Sequence, residues 1–265
     1  MTDNSPIGIF DSGLGGLTVF QELYSLRSNE NYIYFADTIN LPYGTKSKPA
    51  LIKITSKILD FFEAKKVKAV VIACNTTSAA AYETLKDNYG FKIYPIIQTV
   101  AKEFSRLPIK KLGVLATPAT ANSGAYSKET GKYNSEMKVF EEPCFDWVQI
   151  VENSLYDTDE AKKIIEEHLF NLLDKKVEKI ILGCTHYPYL LDKLSTYVPK
   201  EMFLNPAPIF AKRILEDMKS EGLLSDYNEQ KIPEFYASSN PENFKTSSKF
   251  FCEFKEVKGI NSTFV

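Results

Sequence analysis

Metal-ligating side chains are scarce in this chain. It has two histidines, His168 and His186, and four cysteines scattered without any C-x-x-C pair. A zinc site needs such ligands clustered, so no metal is expected. Disulfide frameworks belong to short secreted chains rich in cysteine, and this sequence has neither character. No apolar run approaches the roughly 20 residues that span a bilayer. The opening segment, MTDNSPIGIF, has no basic n-region and no apolar h-region. No membrane contact and no secretion are therefore expected, and a cytoplasmic location follows by default. A dominant charge is missing too. The formal net charge is −2, which argues against a chain built to bind nucleic acid.

What is present is ample core material. With 265 residues, 44% of them hydrophobic, the chain can build one large or two medium domains. Strand-like and helix-like patterns alternate. IGIF (7–10) reads as a strand, LTVFQELYSL (17–26) as a helix and YIYFAD (32–37) as a second strand before the loop TINLPYGTK (38–46). A helix over 49–66 begins with Pro49 in its first turn, a favoured placement. AVVIAC (69–74) is a third strand, 76–89 a helix and IYPII (93–97) a short strand. The cycle then restarts. KLGVLAT (111–117), MKVFEE (137–142), a helix over 159–176 and KIILGC (179–184) follow. After Pro206 and Pro208 comes a helix closed by Gly222, then FYASS (235–239) as a strand and 243–251 as a helix. Such alternation predicts parallel sheets covered by helices. KLGVLAT parallels the first strand at an offset of 105 residues (Ile7 to Leu112), and KIILGC parallels AVVIAC at 110 (Val70 to Ile180). Two related α/β halves are expected.

The strongest signal lies in the second of these pairs. AVVIACNT and KIILGCTH are apolar runs that each end in a small residue, a cysteine and small polar residues. Short apolar runs suit strands buried on both faces, and ligands of open α/β sheets bind beyond the carboxyl ends of such strands. If the halves face each other, Cys74 and Cys184 flank one ligand, an arrangement fit to remove a proton from one face and return it on the other. A cysteine is often only a small buried hydrophobe, but two at equivalent positions argue for chemistry. A thiol must ionise to act as a base. A helix N-terminus after each strand would lower its pKa, and His186 or Asp11 could relay the proton. Cys144 and Cys252 lack this context and read as structural.

Other motifs admit two readings. DSGLGG (11–16) could bind an anion through its amides, or Asp11 and Ser12 could cap the next helix while the glycines turn the chain. It departs from G-x-G-x-x-G because Thr18 stands where the third glycine would be, although Asp37 sits where a ribose-binding acid would. His168, on a charged helix, reads as a surface residue, and Glu152, within IVEN, as an exposed helix position. Tyr43 in PYG belongs to a turn, or closes over a ligand.

In order and spacing, IGIFDSGLGGLTV, YFADTINLPYGTK, VVIACNTTSA, GVLATPATANSGAY and IILGCTHYPYL resemble the bacterial glutamate racemases. The resemblance covers nearly the whole chain. It implies a cofactor-independent racemase interconverting L- and D-glutamate and supplying D-glutamate for peptidoglycan. It also implies two α/β domains with the active site in the cleft between them, divided as 1–97 plus 208–265 and 98–207, and a homodimer. Carried over by motif, Cys74 and Cys184 are the two acid–bases, assisted by Asp11, Glu152 and His186. Asp11, Ser12, Tyr43, Gly44, Asn75, Thr76, Thr117, Thr120, Thr185 and His186 match substrate-binding positions. Asn205-Pro206, Ser239-Asn240-Pro241 and IIQTV (96–100) depart from the family's usual residues. The rivals are an aspartate racemase of the same superfamily, a nucleotide-binding oxidoreductase resting on DSGLGG and Asp37, and a redox protein using the cysteines as a switch.

Overall fold

The computed structural model describes residues 3–249 and 256–260; Cys252 and the end of the 243–251 reading lie outside the described residues. The first half contains β1 (Ile7–Asp11), β2 (Tyr32–Ala36), β3 (Ala69–Ile72) and β4 (Lys92–Pro95). The second contains β5 (Lys111–Ala116), β6 (Lys138–Pro143), β7 (Lys179–Gly183) and β8 (Phe203–Leu204). The chain then returns to the first sheet with β9 (Glu234–Ala237) and β10 (Lys258–Gly259). The orders are β10-β9-β2-β1-β3-β4 and β6-β5-β7-β8, parallel throughout. Both halves share one arrangement. In each, the first strand lies between the second and third, and the fourth lies outside the third.

Register makes the equivalence strict. Ile7 pairs with Ala69 in the first sheet, and Leu112 pairs with Lys179 in the second. Those partners differ by the same 105 and 110 residues as the sequence motifs. Continued past the ladders, this register sets Cys74 level with Ser12 and Cys184 level with Thr117. Each cysteine leaves its sheet at the switch point, where the strand order reverses and a crevice opens.

The elements form for ordinary reasons. The helix Lys48–Ala64 has Ser47 as its cap and Pro49 in its first turn, and buries Leu51, Ile58, Leu59 and Phe62 on one face. Along β1, Ile7 and Ile9 face one core while Phe10 faces another, as strand alternation requires. The first of these cores is shared: Ile9, Phe20, Val100 and Phe210 pack in one cluster with Leu112, Val114 and Ile181 of the second sheet. The helices Leu17–Leu26, Ile96–Phe104 and Pro206–Ser220 supply its apolar faces. Among the described residues, no helix is long and apolar enough to cross a membrane.

Several elements differ from the sequence reading. The 76–89 helix is two pieces, Asn75–Ala80 and Tyr82–Leu85. The strand read over 93–97 ends at Pro95, and Ile96 starts a helix, because Pro95 cannot donate to continue the ladder. Residues 118–131, not assigned from the pattern, form the helices Pro118–Ser123 and Ala125–Gly131, broken at Gly124 with φ of +61°. Asn240 caps the helix Pro241–Ser248 from the left-handed region, which asparagine tolerates.

Candidate active site

The ends of β1, β3, β5 and β7 converge, and side chains bridge the two halves. Asp11, the last residue of β1, is fully buried and accepts from Gly13 N at 3.1 Å and from Thr185 Oγ1 at 3.1 Å. It does not cap the next helix, whose cap position is Gly16 with no side-chain hydrogen bond. The glycines of DSGLGG allow close approach of the halves. A Cβ at Gly15 would lie 2.6 Å from His186 Nδ1 and closer still to Thr185 Oγ1. Gly44 does the same on the far side, where a Cβ would meet Thr117 Cβ at 2.8 Å.

Hydroxyls form a second bridge. Thr76, Thr117 and Thr120 make a buried triangle, with Oγ1–Oγ1 distances of 2.8 Å (Thr76–Thr117), 3.0 Å (Thr117–Thr120) and 3.3 Å (Thr120–Thr76). Asn75 is buried beside them. Its Oδ1 accepts from Tyr126 Oη at 2.7 Å, while its Nδ2 has no protein partner. Ser12, next to Asp11, is buried as well.

The two thiols have unlike company. Cys74 packs against Tyr43 and Leu51. Burial pushes its pKa up to about 12, and the nearby Asp11 charge and Cys184 add to this, against hydrogen bonds from Thr77 that lower it. The expectation that a helix N-terminus would depress this thiol is thus overturned. Cys74 does occupy the cap position of Asn75–Ala80, but losing water outweighs one amide. Asp11 is itself raised by burial, against the opposing pull of His186.

Cys184 meets an imidazole. Its Sγ lies 3.8 Å from His186 Nδ1, and His186 Nε2 lies 2.6 Å from Glu152 Oε1. Burial alone would lower the His186 pKa; hydrogen bonding and charge from Cys184 and Glu152 override it and hold the ring well above its ordinary range. Burial would raise Glu152, but the His186 pair keeps it below the usual carboxylate range. Glu152 is therefore no exposed helix residue. It ends the helix Trp147–Glu152 as the outer member of a carboxylate–imidazole–thiol chain, the generic form of an activated nucleophile or base.

Other expectations resolve differently. Asp37 is spent within the protein: it accepts from Tyr43 Oη, Asn40 Nδ2 and Ser238 Oγ. Within DSGLGG, Gly13 faces Glu152 and Leu41, Gly15 faces Thr185 and His186, and Gly16 faces Asp11 and Tyr34, so neither the turn nor Asp37 is arranged for a dinucleotide. Tyr43, tethered by its hydroxyl and 2% exposed, is a wall beside Cys74. His168 is not a free surface residue but half-buried, with Nδ1 2.8 Å from Glu142 Oε1 and its ring edge-on to Trp147. Cys144 is buried at the end of β6, and its thiol is pushed far up by burial. A surface depression lined by Lys48, Ile52, Lys53 and Leu85 is on the outer helix layer and shares no residue with the thiol cleft. Tyr126 escaped the sequence reading because its helix carried no clear periodic signal.

A family model described as Asp/Glu/Hydantoin racemase matches residues 22–214. The glutamate racemase of Carboxydothermus hydrogenoformans is 36% identical over 246 residues, 92% of this chain and 91% of its own. That of Fusobacterium nucleatum is 35% identical over 257 residues, covering 96% and 97%. The crystal structure of Francisella tularensis glutamate racemase in complex with D-glutamate superposes with a TM-score of 0.91 at 31% identity, covering 98% of each chain. Fold and sequence together define an amino-acid racemase, an isomerase built from two parallel-sheet α/β halves. The chain belongs to the Asp/Glu/hydantoin racemase family, and within it to the glutamate racemases.

Proposed function

We propose that this chain interconverts L- and D-glutamate without a cofactor, by proton transfer between Cα and two thiols. The observation that carries the reading is the pairing of Cys74 and Cys184 at register-equivalent strand ends, with neighbours of opposite charge. Cys184, with its Sγ 3.8 Å from the His186 ring, is placed to take the proton of L-glutamate. Cys74, held as a thiol by burial and Asp11, is suited to deliver a proton to the opposite face. The reverse reaction exchanges the roles. Asp11, Glu152 and His186 tune the thiols. Ser12, Tyr43, Gly44, Asn75, Thr76, Thr117, Thr120 and Thr185 wall the substrate and receive its carboxylates. The α-proton is weakly acidic, so the developing carbanion needs fixed dipoles in a cleft closed to water.

By the same reading, the product supplies D-glutamate for peptidoglycan in the cytoplasm, and the enzyme works as a homodimer. The chain divides into domains 1–97 plus 208–265 and 98–207, with substrate entering as they separate. The test is circular dichroism of purified protein with L-glutamate or L-aspartate and no added cofactor. Loss of optical activity with glutamate and much slower loss with aspartate is expected. Turnover of aspartate alone, or dependence on an added cofactor, overturns the proposal.

A further inference from the structure

Tyr126 links the two halves at a point the mechanism above leaves unused. It lies in the Ala125–Gly131 helix after the second half's first strand, fully buried. Its hydroxyl reaches across to Asn75, on the first half, and donates to Oδ1 at 2.7 Å. Asn75 is 2% exposed, and its Nδ2 is a buried donor without a protein partner. Asn75 also lines a small cavity together with Cys184, Thr185 and Asn205.

A carboxamide is planar, with acceptor and donors at opposite ends, so holding the oxygen also aims the nitrogen. Tyr126 Oη is a dependable donor here. Burial drives its pKa well above the ordinary tyrosine value, with the charges of Glu141 and Cys184 acting in the same direction. A buried amide donor left unpaired is costly, so a free N–H₂ group beside a cavity is a socket for an incoming acceptor. The acceptors of an amino-acid substrate are its carboxylate oxygens.

We propose that Tyr126 is a positioning residue: it holds the Asn75 amide so that Nδ2 donates to a substrate carboxylate, and it can do so only while the halves are together. The inference rests on the racemase reading of the site. Substrate recognition by the first half would thereby depend on a hydroxyl supplied by the second.

Tyr126→Phe removes the hydroxyl and keeps the ring. Its KM for glutamate should rise about tenfold, the scale of one hydrogen bond to a charged group, with kcat changed less than about twofold, as for an interaction made equally in ground and transition states. In an Asn75→Ala background the same change should leave KM where Asn75→Ala alone puts it, because residues acting through one contact are non-additive. Asn75→Asp, which still accepts from Tyr126 but offers no donor, should raise KM as much as Asn75→Ala, and it supplies the test if Tyr126→Phe does not fold. An unchanged KM in Tyr126→Phe, an equal rise in both backgrounds, a fall confined to kcat, or an Asn75→Asp variant with wild-type KM overturns the proposal. Wild-type protein that fails to racemise glutamate removes the underlying reading instead, so the two failures are distinguishable.

Discussion

Cys74 and Cys184 end equivalent strands of two sheets built in the same order, yet their surroundings differ in sign. Around Cys74 stand Tyr43, Leu51 and the carboxylate of Asp11, so burial and like charge both oppose ionisation. Around Cys184 stand an imidazole whose pKa is raised by its neighbours and, behind it, Glu152. Duplicated backbone geometry thus delivers two thiols to one place, and the unduplicated neighbours give them different electrostatic surroundings. A racemase needs one thiol charged and one protonated at any moment, and identical surroundings would give two sites with the same preference. The difference between the halves is therefore as much a part of the proposed reaction as their likeness.

The largest expected effect comes from removing either partner. Cys74→Ala and Cys184→Ala should each halt racemisation in both directions. Retention of most of the rate by either variant would leave one base sufficient and break the comparison.

Next come the residues that make the thiols unlike. Asp11→Asn or His186→Asn should slow turnover by roughly 10²–10⁴-fold, the usual size of a general acid–base contribution. Since L- and D-glutamate are equally stable, kcat/KM must fall equally in both directions for either variant, and asymmetry can appear only in kcat and KM taken separately. Polarimetry started from each enantiomer reads both.

Gly15→Ala is expected to cost about 10²-fold, the scale of a displacement of about 1 Å within a catalytic group. The new methyl must push Thr185 and His186 away from Asp11 and Cys184. Wild-type activity with an intact far-ultraviolet dichroism spectrum would show that this contact does not register the halves.

A subtler measurement sharpens the electrostatic half of the comparison. The Asp11 charge raises the Cys74 pKa, which stands at about 12. Asp11→Asn removes a like charge, so alkylation of Cys74 should move to lower pH. Mass mapping of alkylated peptides across a pH series isolates the Cys74 peptide, and an unmoved profile would show that the Asp11 charge does not set this thiol's pKa. The smallest effect is expected of Cys144→Ala. Its thiol is held neutral by burial and donates to the Glu142 carbonyl and to none of the bridging groups, so activity should remain near wild type.

The alternation of strands and helices, the two-half repeat and the paired cysteines were legible from local pattern, because apolar runs ending in Cys-Asn-Thr and Cys-Thr-His carry their own period and punctuation. Asp11, Thr185 and His186 followed from adjacency and from the family resemblance. Asp37 and Tyr126 were not legible. Asp37 sits at the right distance from a glycine-rich turn for a nucleotide site, and only its contacts with Tyr43, Asn40 and Ser238 show how its lone pairs are used. Tyr126 lies in a short helix broken at Gly124, whose sequence has no amphipathic period. Glu152 read as surface because its helix has only six residues, too few for periodicity to distinguish a buried face.

By itself the sequence determined the strand-and-helix alternation, the duplication and the positions where thiols leave the sheets, since these depend on side-chain period and on the chain's own spacing. The electrostatic surroundings of the thiols and the seam between the halves were decided only in three dimensions. The Cys74 pKa depends on the water the thiol loses and on the charge of Asp11, far away in the chain, and the imidazole beside Cys184 owes its raised pKa in part to the distant Glu152. The seam likewise depends on Gly15 and Gly44 having no Cβ where the opposite half must approach.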